Sequence, residues 1–242
     1  MTQPSVGFLV GPGVLAHVDG VRALAERLGV AAINTWGAKG VFRWDSPFHG
    51  GTAGLQALDF ELAGLADVDV LVTSGLDPDE VTRRPWEGRA EVVDIAPADL
   101  AGFGDRWPHP PATPVRPRLY TDLAAVVGPL YEDPATPAAR ARELSLTLPP
   151  GGLVVAPPGL VGFWVARTWP TVEPGSVIVP ASTEPGRAHL AAAAAADGGR
   201  PVLFVTDTPE DVPGVEVVVW DGDLAIPPSL LDVAGPLVAW SA

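Results

Sequence analysis

Glycine-rich turns follow two of the apolar runs in this sequence and could hold an anion. Gly11 and Gly13 come directly after the run Ser5–Val10, and Gly75 comes directly after Val68–Ser74. Backbone N–H groups of glycines at the start of a helix can bind a phosphate or a carboxylate, because the helix dipole is positive at that end. Short glycine motifs also occur often by chance, so a plain strand-to-helix turn is the other interpretation.

A lysine and a histidine also stand next to glycines. Lys39 is the only lysine of the chain and lies between Gly37 and Gly40, and His49 precedes the pair Gly50–Gly51. A lysine can meet a phosphate or a carboxylate as a point charge. The alternatives are an ordinary surface lysine and a packed loop histidine.

Several other kinds of chemistry are excluded by what the sequence lacks. The chain has no cysteine, which rules out thiolate metal sites, disulfides and a cysteine nucleophile. Its four histidines show no HxH or HExxH spacing, and no GxSxG motif is present. Asp59 and Glu61 are two residues apart in a predicted helix and therefore face different directions, so they are not a carboxylate pair.

Short apolar runs that end at Gly, Pro or Asp alternate with helical patterns, which is typical of parallel strands joined by helices. The sequence therefore predicts an α/β fold of two Rossmann-like layers of mostly parallel sheet flanked by helices, the second layer being truncated. The predicted strands are Ser5–Val10, Val30–Thr35, Val68–Ser74, Ala90–Ala96, Gly151–Ala156, Ser176–Ala181, Pro201–Asp207, Val215–Asp221 and Pro236–Trp240. The predicted helices are Val18–Leu28, Gly51–Leu65, Thr121–Tyr131, Ala138–Leu146, Gly159–Thr168 and Gly186–Ala196.

The length of 242 residues allows one large or two small domains. We expect a first domain at residues 1–131, a linker at 132–145 and a second domain at 146–242. The formal net charge of -14 would repel phosphate backbones and anionic lipids, so nucleic acid and membrane surfaces are not expected partners. The sequence begins with no basic leader segment and contains no long apolar stretch, so we expect a cytoplasmic protein.

One longer stretch, Asn34–Glu80, closely resembles the central domain of thiamine-diphosphate-dependent enzymes of the acetolactate synthase and benzoylformate decarboxylase type. The resemblance covers roughly the first 130 residues and includes Val6–Leu15 and Val92–Asp99. The family pattern has six motifs in order: a threonine, a K-G pair, a proline loop, a G-x-x-G turn that opens a helix, a D-[VL]-[VL] strand and a glycine loop. In this sequence the corresponding residues are, in the same order, Thr35, Lys39–Gly40, Pro47, Gly51–Gly54, Asp69–Leu71 and Gly75.

This resemblance implies a Rossmann-like domain that binds FAD or ADP in some members and is an empty spacer in others. If a nucleotide binds, the residues that match the family positions are Gly11, Gly13, Thr35, Lys39, Gly51, Gly75 and Asp94. Ala96 stands where the family's second aspartate is found, near the adenosine end.

The second half resembles the domain of these enzymes that holds the cofactor diphosphate, over Leu148–Trp169 and Glu184–Asp207. Asp207 matches an aspartate that ligates magnesium in the family, and Asp221 stands near the position of the second ligand. Two turn aspartates are the alternative interpretation. The connection Thr208–Gly214 is short for a parallel crossover, so we expect the strand after it to be antiparallel or non-adjacent.

The family's pyrimidine-binding domain, which supplies the activating glutamate, has no counterpart in the sequence. We therefore expect a truncated relative without autonomous thiamine catalysis that acts as a binding, assembly or regulatory protein. One alternative is a subunit of a split lyase or transferase whose pyrimidine-binding domain lies on a separate chain, with thiamine diphosphate and Mg bound only in that complex. A further alternative is a nucleotide- or flavin-binding protein that uses the first domain. The resemblance also implies a homo-oligomer, most simply a dimer.

Overall fold

The computed structural model of the protein describes residues 4–103 and 113–240. Its first half forms a sheet of five parallel strands, in which the first strand is central and carries a neighbour on each side. The strands are β1 (Val6–Val10), β2 (Ala32–Thr35), β3 (His49–Ala53), β4 (Val70–Ser74) and β5 (Glu91–Asp94). Their order across the sheet is β3-β2-β1-β4-β5. Because all five run parallel, their carboxyl ends meet at one edge of the sheet.

The second half forms a smaller parallel sheet. Its strands are β6 (Leu153–Val155), β7 (Val177–Ile178), β8 (Val202–Thr206) and β9 (Glu216–Val219). Their order across the sheet is β7-β6-β8-β9, and every neighbouring pair is parallel. The predicted α/β class with two mostly parallel sheets is therefore confirmed.

Helices flank both sheets. They are α1 (Val18–Leu28), α2 (Asp59–Leu62), α3 (Arg118–Glu132), α4 (Pro137–Thr147), α5 (Leu160–Thr168), α6 (Arg187–Asp197) and α7 (Pro228–Ala234). Short 3₁₀ helices lie at Pro12–His17, Trp36–Ala38, Pro78–Glu80 and Pro97–Gly102. Within residues 4–103 and 113–240, no helix has both the length and the apolar character needed to cross a membrane.

The predicted helix Gly51–Leu65 is wrong over most of its length. Its first residues belong to the edge strand β3, and only the single turn of α2 is helical. Gly51 adopts φ +114°, which favours glycine, and its face is covered by Leu119 of α3. A side chain at Gly50 would collide with Ile33 of β2. The glycine pair therefore lets an extended strand lie tightly between β2 and α3.

The expectation for the strand after Thr208–Gly214 is also wrong. Strand β9 is parallel to β8 and directly hydrogen-bonded to it, although residues 207–215 between them contain no helix. An extended chain covers about 3.3 Å per residue, so this connection can return along the four residues of β9 without a helical crossover. Val212 is buried and anchors the connection on the sheet.

The predicted last strand, Pro236–Trp240, forms only one antiparallel bridge, between Leu237 and Gln56 of the first half. Trp240 has a left-handed backbone (φ 59°), which interrupts an extended run. Its indole N–H donates to the Pro180 carbonyl at 2.9 Å, and its ring lies 5.2 Å from the ring of Trp36. The segment therefore ties the two halves together instead of extending a sheet.

The two halves share one hydrophobic core. A single buried cluster includes Leu9 and Ile33 of the first sheet together with Val154 and Leu203 of the second. The indole N–H of Trp36 donates to the carbonyl of Val179 across the boundary, at 3.2 Å. Helix α4 occupies most of the segment predicted as a linker, residues 132–145. Side chains of the first sheet and of α5 can therefore meet in one site.

Candidate functional site

A cavity of about 310 Å³ lies between the edge strand β3, helix α3 and the segment that follows α5. We call it the β3–α3 cavity. Its basic side chains are those of Lys39, His49 and Arg167. Its walls include Trp44, Leu119, Tyr120, Leu123, Val127, Tyr131 and Trp169. No carboxylate of the described residues lines it. In a chain with a formal net charge of -14, this cavity is locally basic.

Lys39 follows β2 and the short 3₁₀ helix, and its side chain is buried, with 5% exposed. Burial, together with the charge of Arg167, lowers the pKa of Lys39 from 10.5 to about 7. No ion pair joins Lys39 to a carboxylate within residues 4–103 and 113–240. The buried position excludes the alternative of an ordinary surface lysine and leaves its positive charge uncompensated.

His49 begins β3 and is also buried. Burial lowers the pKa of His49 to about 3, and the positive charges of Lys39 and Arg116 add to this effect. The imidazole is therefore neutral near pH 7. Its Nδ1 atom has no hydrogen-bond partner among the described residues, and its ring meets that of Tyr120 edge-on.

Arg167 of α5 reaches into the first half through a buried ion pair with Asp59 of α2. Its Nη2 atom donates to both Asp59 carboxylate oxygens at 2.8 Å, and Nη1 donates to the carbonyl of Thr52 at 2.8 Å. Burial raises the pKa of Asp59, whereas the guanidinium and the N–H groups of Leu55 and Gln56 lower it. The Nε atom of Arg167 is buried without a partner in the part of the chain that the structure describes.

Helix α3 supplies the outer wall of the cavity. Burial raises the pKa of Tyr131 to about 12, and its hydroxyl donates to the Thr168 carbonyl next to Arg167. The guanidinium of Arg116 lies 4.0 Å from the centre of the Tyr120 ring and donates to backbone carbonyls before β3. Trp44, with 47% of its surface exposed, stands at the rim. The wall combines aromatic faces with an opening to solvent.

Three of the predicted nucleotide-binding glycines pack against one another instead of facing a cavity. The N–H of Gly11 donates to the Ser74 carbonyl and that of Gly13 to the Gly75 carbonyl. Added Cβ atoms on Gly11 and Gly13 would collide with the backbone of residues 75 and 76. Gly75 has φ +60° and lies against the backbone of Gly13. This arrangement is the tight strand-to-helix turn, with its donors already used, and it does not fit a phosphate cradle for FAD or ADP.

The other predicted residues divide between two places. Thr35 is fully buried at the end of β2, and Asp94, exposed on the edge strand β5, accepts a hydrogen bond from the Thr73 hydroxyl at 2.7 Å. Lys39 and Gly51 instead line the β3–α3 cavity. The backbone around Glu173 packs directly on Gly40, so the second half covers the crevice beyond β2.

The two predicted metal ligands lie at the ends of β8 and β9 and are exposed. Asp221 forms an ion pair with Arg140 at 3.5 Å, and the Asp207 carboxylate accepts from the Thr208 hydroxyl at 3.3 Å. The guanidinium beside Asp221 would repel a divalent cation. No group of three or more His, Asp or Glu side chains that could hold a metal is found in the described ranges. These residues do not fit the magnesium site that thiamine diphosphate needs.

Arg167 is the site residue that the sequence interpretation missed. The signal was present, because Arg167 is the only charged residue of the helix Leu160–Thr168, which is apolar elsewhere. A single charge in a buried helix is rare unless it is paired. Its partner Asp59 is 108 positions away, so spacing could not reveal the pair.

Glu80, which is buried near the carboxyl edge of the first sheet, should make the stability of the protein depend on pH. Burial raises the pKa of Glu80 from 4.5 to about 7, and the Gly37 N–H, which donates to its carboxylate at 3.2 Å, partly counteracts this rise. The folded state therefore holds a proton that the unfolded state releases between pH 4.5 and about 7, and stability falls as the pH rises through this window. We expect Glu80→Gln to remove this fall, which amounts to at most about 1.4 kcal/mol per pH unit.

Urea unfolding followed by tryptophan fluorescence at pH 4.5 and pH 7 measures this effect. Glu26→Gln, on the exposed face of α1, is the matched control, since it makes the same substitution at a surface position. Parallel stability curves for the Glu80→Gln variant and the unchanged protein would contradict the expected titration.

Comparisons with known proteins agree with this architecture. Residues 5–103 match the family model described as thiamine pyrophosphate enzyme, central domain. No curated protein matches the sequence. Among solved structures, the chain is similar to the X-ray structure of a proposed thiamin diphosphate-dependent enzyme from Mycobacterium smegmatis, with 17% identity and a TM-score of 0.63. That match covers 84% of this chain and 45% of the other, and at this identity it shows a shared fold.

The family match and the fold similarity together confirm the resemblance on which the sequence interpretation rested. The matched residues span all five strands of the first sheet and include Lys39, His49 and Asp59 of the site. Arg167 comes from the second half, outside the matched residues. Residues 5–103 are therefore similar to the central domain of thiamine pyrophosphate enzymes, and the chain shares its fold with part of a proposed enzyme of that kind.

Proposed function

We propose that this protein binds a small organic carboxylate in the β3–α3 cavity and acts as a binding or regulatory protein without thiamine catalysis of its own. The observation that carries the proposal is the buried, uncompensated Lys39 in a cavity that no described carboxylate lines. A buried charge without a partner is strongly unfavourable. A bound anion supplies the missing negative charge.

The other polar groups of the cavity suit the same ligand. The Nε–H of Arg167 and the Nδ1 of His49 are buried and unpartnered among the described residues. A buried polar group without a partner is destabilised by about 1–3 kcal/mol, so a ligand that satisfies it gains this free energy on binding. We place the ligand carboxylate next to the Lys39 amine, in the part of the cavity that Arg167 also lines.

The walls favour an apolar remainder of the ligand. Leucine, valine and aromatic side chains of α3 and of the segment after α5 surround the cavity. A volume of about 310 Å³ lies at the lower end of ligand pockets, which begin at about 300 Å³. We therefore favour a monocarboxylic acid with a compact hydrocarbon or aryl group.

Isothermal titration calorimetry with 4-methylbenzoate tests this function, and the uncharged 4-methylbenzamide serves as the matched ligand. We expect the carboxylate to bind and the amide to bind much more weakly. Affinity should fall as the pH rises above about 7, because Lys39 then loses the proton that attracts the anion. Titrations in buffers of different ionisation enthalpy should show proton uptake on binding near and above pH 7, where part of Lys39 is unprotonated before the anion binds.

Variants locate the binding in the cavity. Lys39→Met should abolish carboxylate binding, whereas Arg187→Met, which removes an exposed arginine on α6, should leave it unchanged. Equal binding of the carboxylate and the amide, or unchanged binding by Lys39→Met, would refute the proposed function.

A further inference from the structure

We propose that the Lys39 amine condenses with a small carboxylate-bearing aldehyde in the β3–α3 cavity to form an imine. This inference rests on the carboxylate binding proposed above and adds a covalent step to the same site. The amine and the groups that relay its protons line one cavity, and the aldehyde is the ligand that enters it.

The position of the amine supports the first part of the assignment. Lys39 lies between the 3₁₀ helix Trp36–Ala38 and Gly40, whose backbone packs directly on Glu173 of the second half. This packing fixes the backbone from which the lysine side chain projects. The side chain lines the cavity and is only 5% exposed, so the amine is accessible to a ligand in the cavity and shielded from bulk solvent.

The surroundings of the amine favour its nucleophilic form. An ammonium group cannot attack a carbonyl carbon, and lysines become nucleophiles when burial or a neighbouring cation removes the proton. Both causes are present, since Lys39 is buried and lies near the charge of Arg167, and they lower its pKa to about 7. An appreciable fraction of the amine is therefore unprotonated at neutral pH.

The groups around the amine determine which aldehyde fits. Arg167 lines the cavity together with Lys39, and no described acidic side chain lines it to repel a carboxylate. When Lys39 is neutral, Arg167 is already neutralised by Asp59, so Arg116 beside the Tyr120 ring supplies the remaining positive charge that attracts an anion. A carboxylate-bearing aldehyde thus keeps its electrostatic attraction while the amine is free to react.

The reaction balances without an oxidant or a reductant. The nitrogen lone pair attacks the carbonyl carbon, a C–N bond forms, and the carbonyl electron pair moves to oxygen. One nitrogen proton passes to this oxygen to give a carbinolamine. The C–O bond then breaks, and the hydroxyl group leaves as water with the second nitrogen proton. The products are the imine and one water molecule.

We assign the relay of these protons to His49, which lines the same cavity as Lys39. Its imidazole is neutral, because burial lowers its pKa to about 3, and Nδ1 has no partner among the described residues. A neutral imidazole has one donor and one acceptor nitrogen, so it can pass a proton without retaining it. Tyr131 cannot do this, since its hydroxyl already donates to the Thr168 carbonyl and burial raises its pKa to about 12.

Reductive trapping tests the imine, and the sequence makes the readout simple. Lys39 is the only lysine, so the N-terminal amine is the only other primary amine and serves as an internal reference. The protein is incubated with 4-carboxybenzaldehyde and sodium cyanoborohydride, and the adducts are located by peptide mass spectrometry. We expect one adduct on Lys39 that forms faster than the adduct on the N-terminal amine.

Matched probes separate this inference from the binding proposal. The uncharged 4-methylbenzaldehyde should label Lys39 more slowly, and 4-methylbenzoate should slow labelling by 4-carboxybenzaldehyde. Lys39→Met and Lys39→Arg should both lose the adduct at position 39 and keep the one at the N-terminus. Labelling of Lys39 no faster than of the N-terminal amine overturns the imine.

Binding of 4-methylbenzoate without labelling overturns the imine alone and leaves the proposed function standing. A third outcome is that 4-methylbenzaldehyde labels Lys39 as fast as 4-carboxybenzaldehyde does and that 4-methylbenzoate does not slow the labelling. Lys39 would then be a reactive amine, but the role of the carboxylate in both proposals would be refuted.

Discussion

Replacing Arg167 by leucine should lower the free energy of unfolding by about 3–5 kcal/mol, which is typical of breaking a buried ion pair at one partner. The substitution leaves the fully buried carboxylate of Asp59 without its cation and the Thr52 carbonyl without its Nη1 donor. The loss should shrink at acidic pH, because the freed carboxyl group can then take up a proton. Urea unfolding followed by tryptophan fluorescence measures the change.

Two further variants make this prediction specific. Arg187→Leu removes an arginine from an exposed ion pair with Glu184 and should change stability by less than about 1 kcal/mol. Arg167→Lys keeps a positive charge near Asp59 but loses the planar fork, so its loss should be intermediate. Similar small losses for Arg167→Leu and Arg187→Leu would show that the buried pair does not hold the halves together.

Lys39→Met should have the opposite effect and stabilise the fold at and below about pH 7. The folded pKa of Lys39 is about 7 and its ordinary value is 10.5, so between these values the unfolded state holds a proton that the folded state has released. Stability of the unchanged protein therefore rises with pH across this window, by up to about 1.4 kcal/mol per pH unit. Methionine has a similar length and no charge, so the variant lacks this rise.

The neighbouring groups do not obscure the difference between the two proteins. His49 is already neutral above its pKa of about 3. The raised pKa of Tyr131, about 12 instead of 10.0, lowers stability above pH 10 in both proteins alike and therefore cancels from the comparison. Arg116 and Arg167 stay protonated throughout. Unfolding curves measured at pH 7 and at pH 10.5 should therefore show the advantage of Lys39→Met shrinking as the pH rises.

Lys39→Arg is the control for this second prediction. Arginine cannot lose its proton in this range, so the variant should lose the slope without gaining stability. A residue that serves binding often lowers the stability of the fold. We therefore expect the loss of Lys39 to stabilise the protein and to abolish carboxylate binding at the same time. Equal pH slopes for the unchanged protein and for Lys39→Met would contradict the buried charge.

The fold was largely predictable because the strands are strongly patterned. The Val, Ile and Leu runs predicted β1, β2, β4 and β8 to within a few residues. Leucines at helical spacing predict a helix that begins at Gly51, where the structure has the strand β3. Close packing between β2 and α3 overrides that local pattern, and only the tertiary contacts reveal it.

The site was predictable only in part. The neighbouring glycines make Lys39 and His49 candidate site residues, but the sequence leaves open whether either side chain is buried. Helix α3 and the segment after α5 decide this, by closing over the edge of the first sheet. In the predicted glycine loops the backbones of Gly11, Gly13 and Gly75 pack against one another. The N–H groups of Gly11 and Gly13 already donate to backbone carbonyls.

The sequence by itself determined the α/β class, the alternation of parallel strands and helices, and the resemblance to thiamine-diphosphate enzymes, because these follow from local patterns that a chain carries along its length. Only the tertiary structure decided that Lys39, His49 and Arg167 share one cavity and that Asp59 neutralises Arg167 but not Lys39. Burial and charge compensation depend on residues more than 100 positions apart in the sequence, and their free energies exist only when the two sheets are packed together.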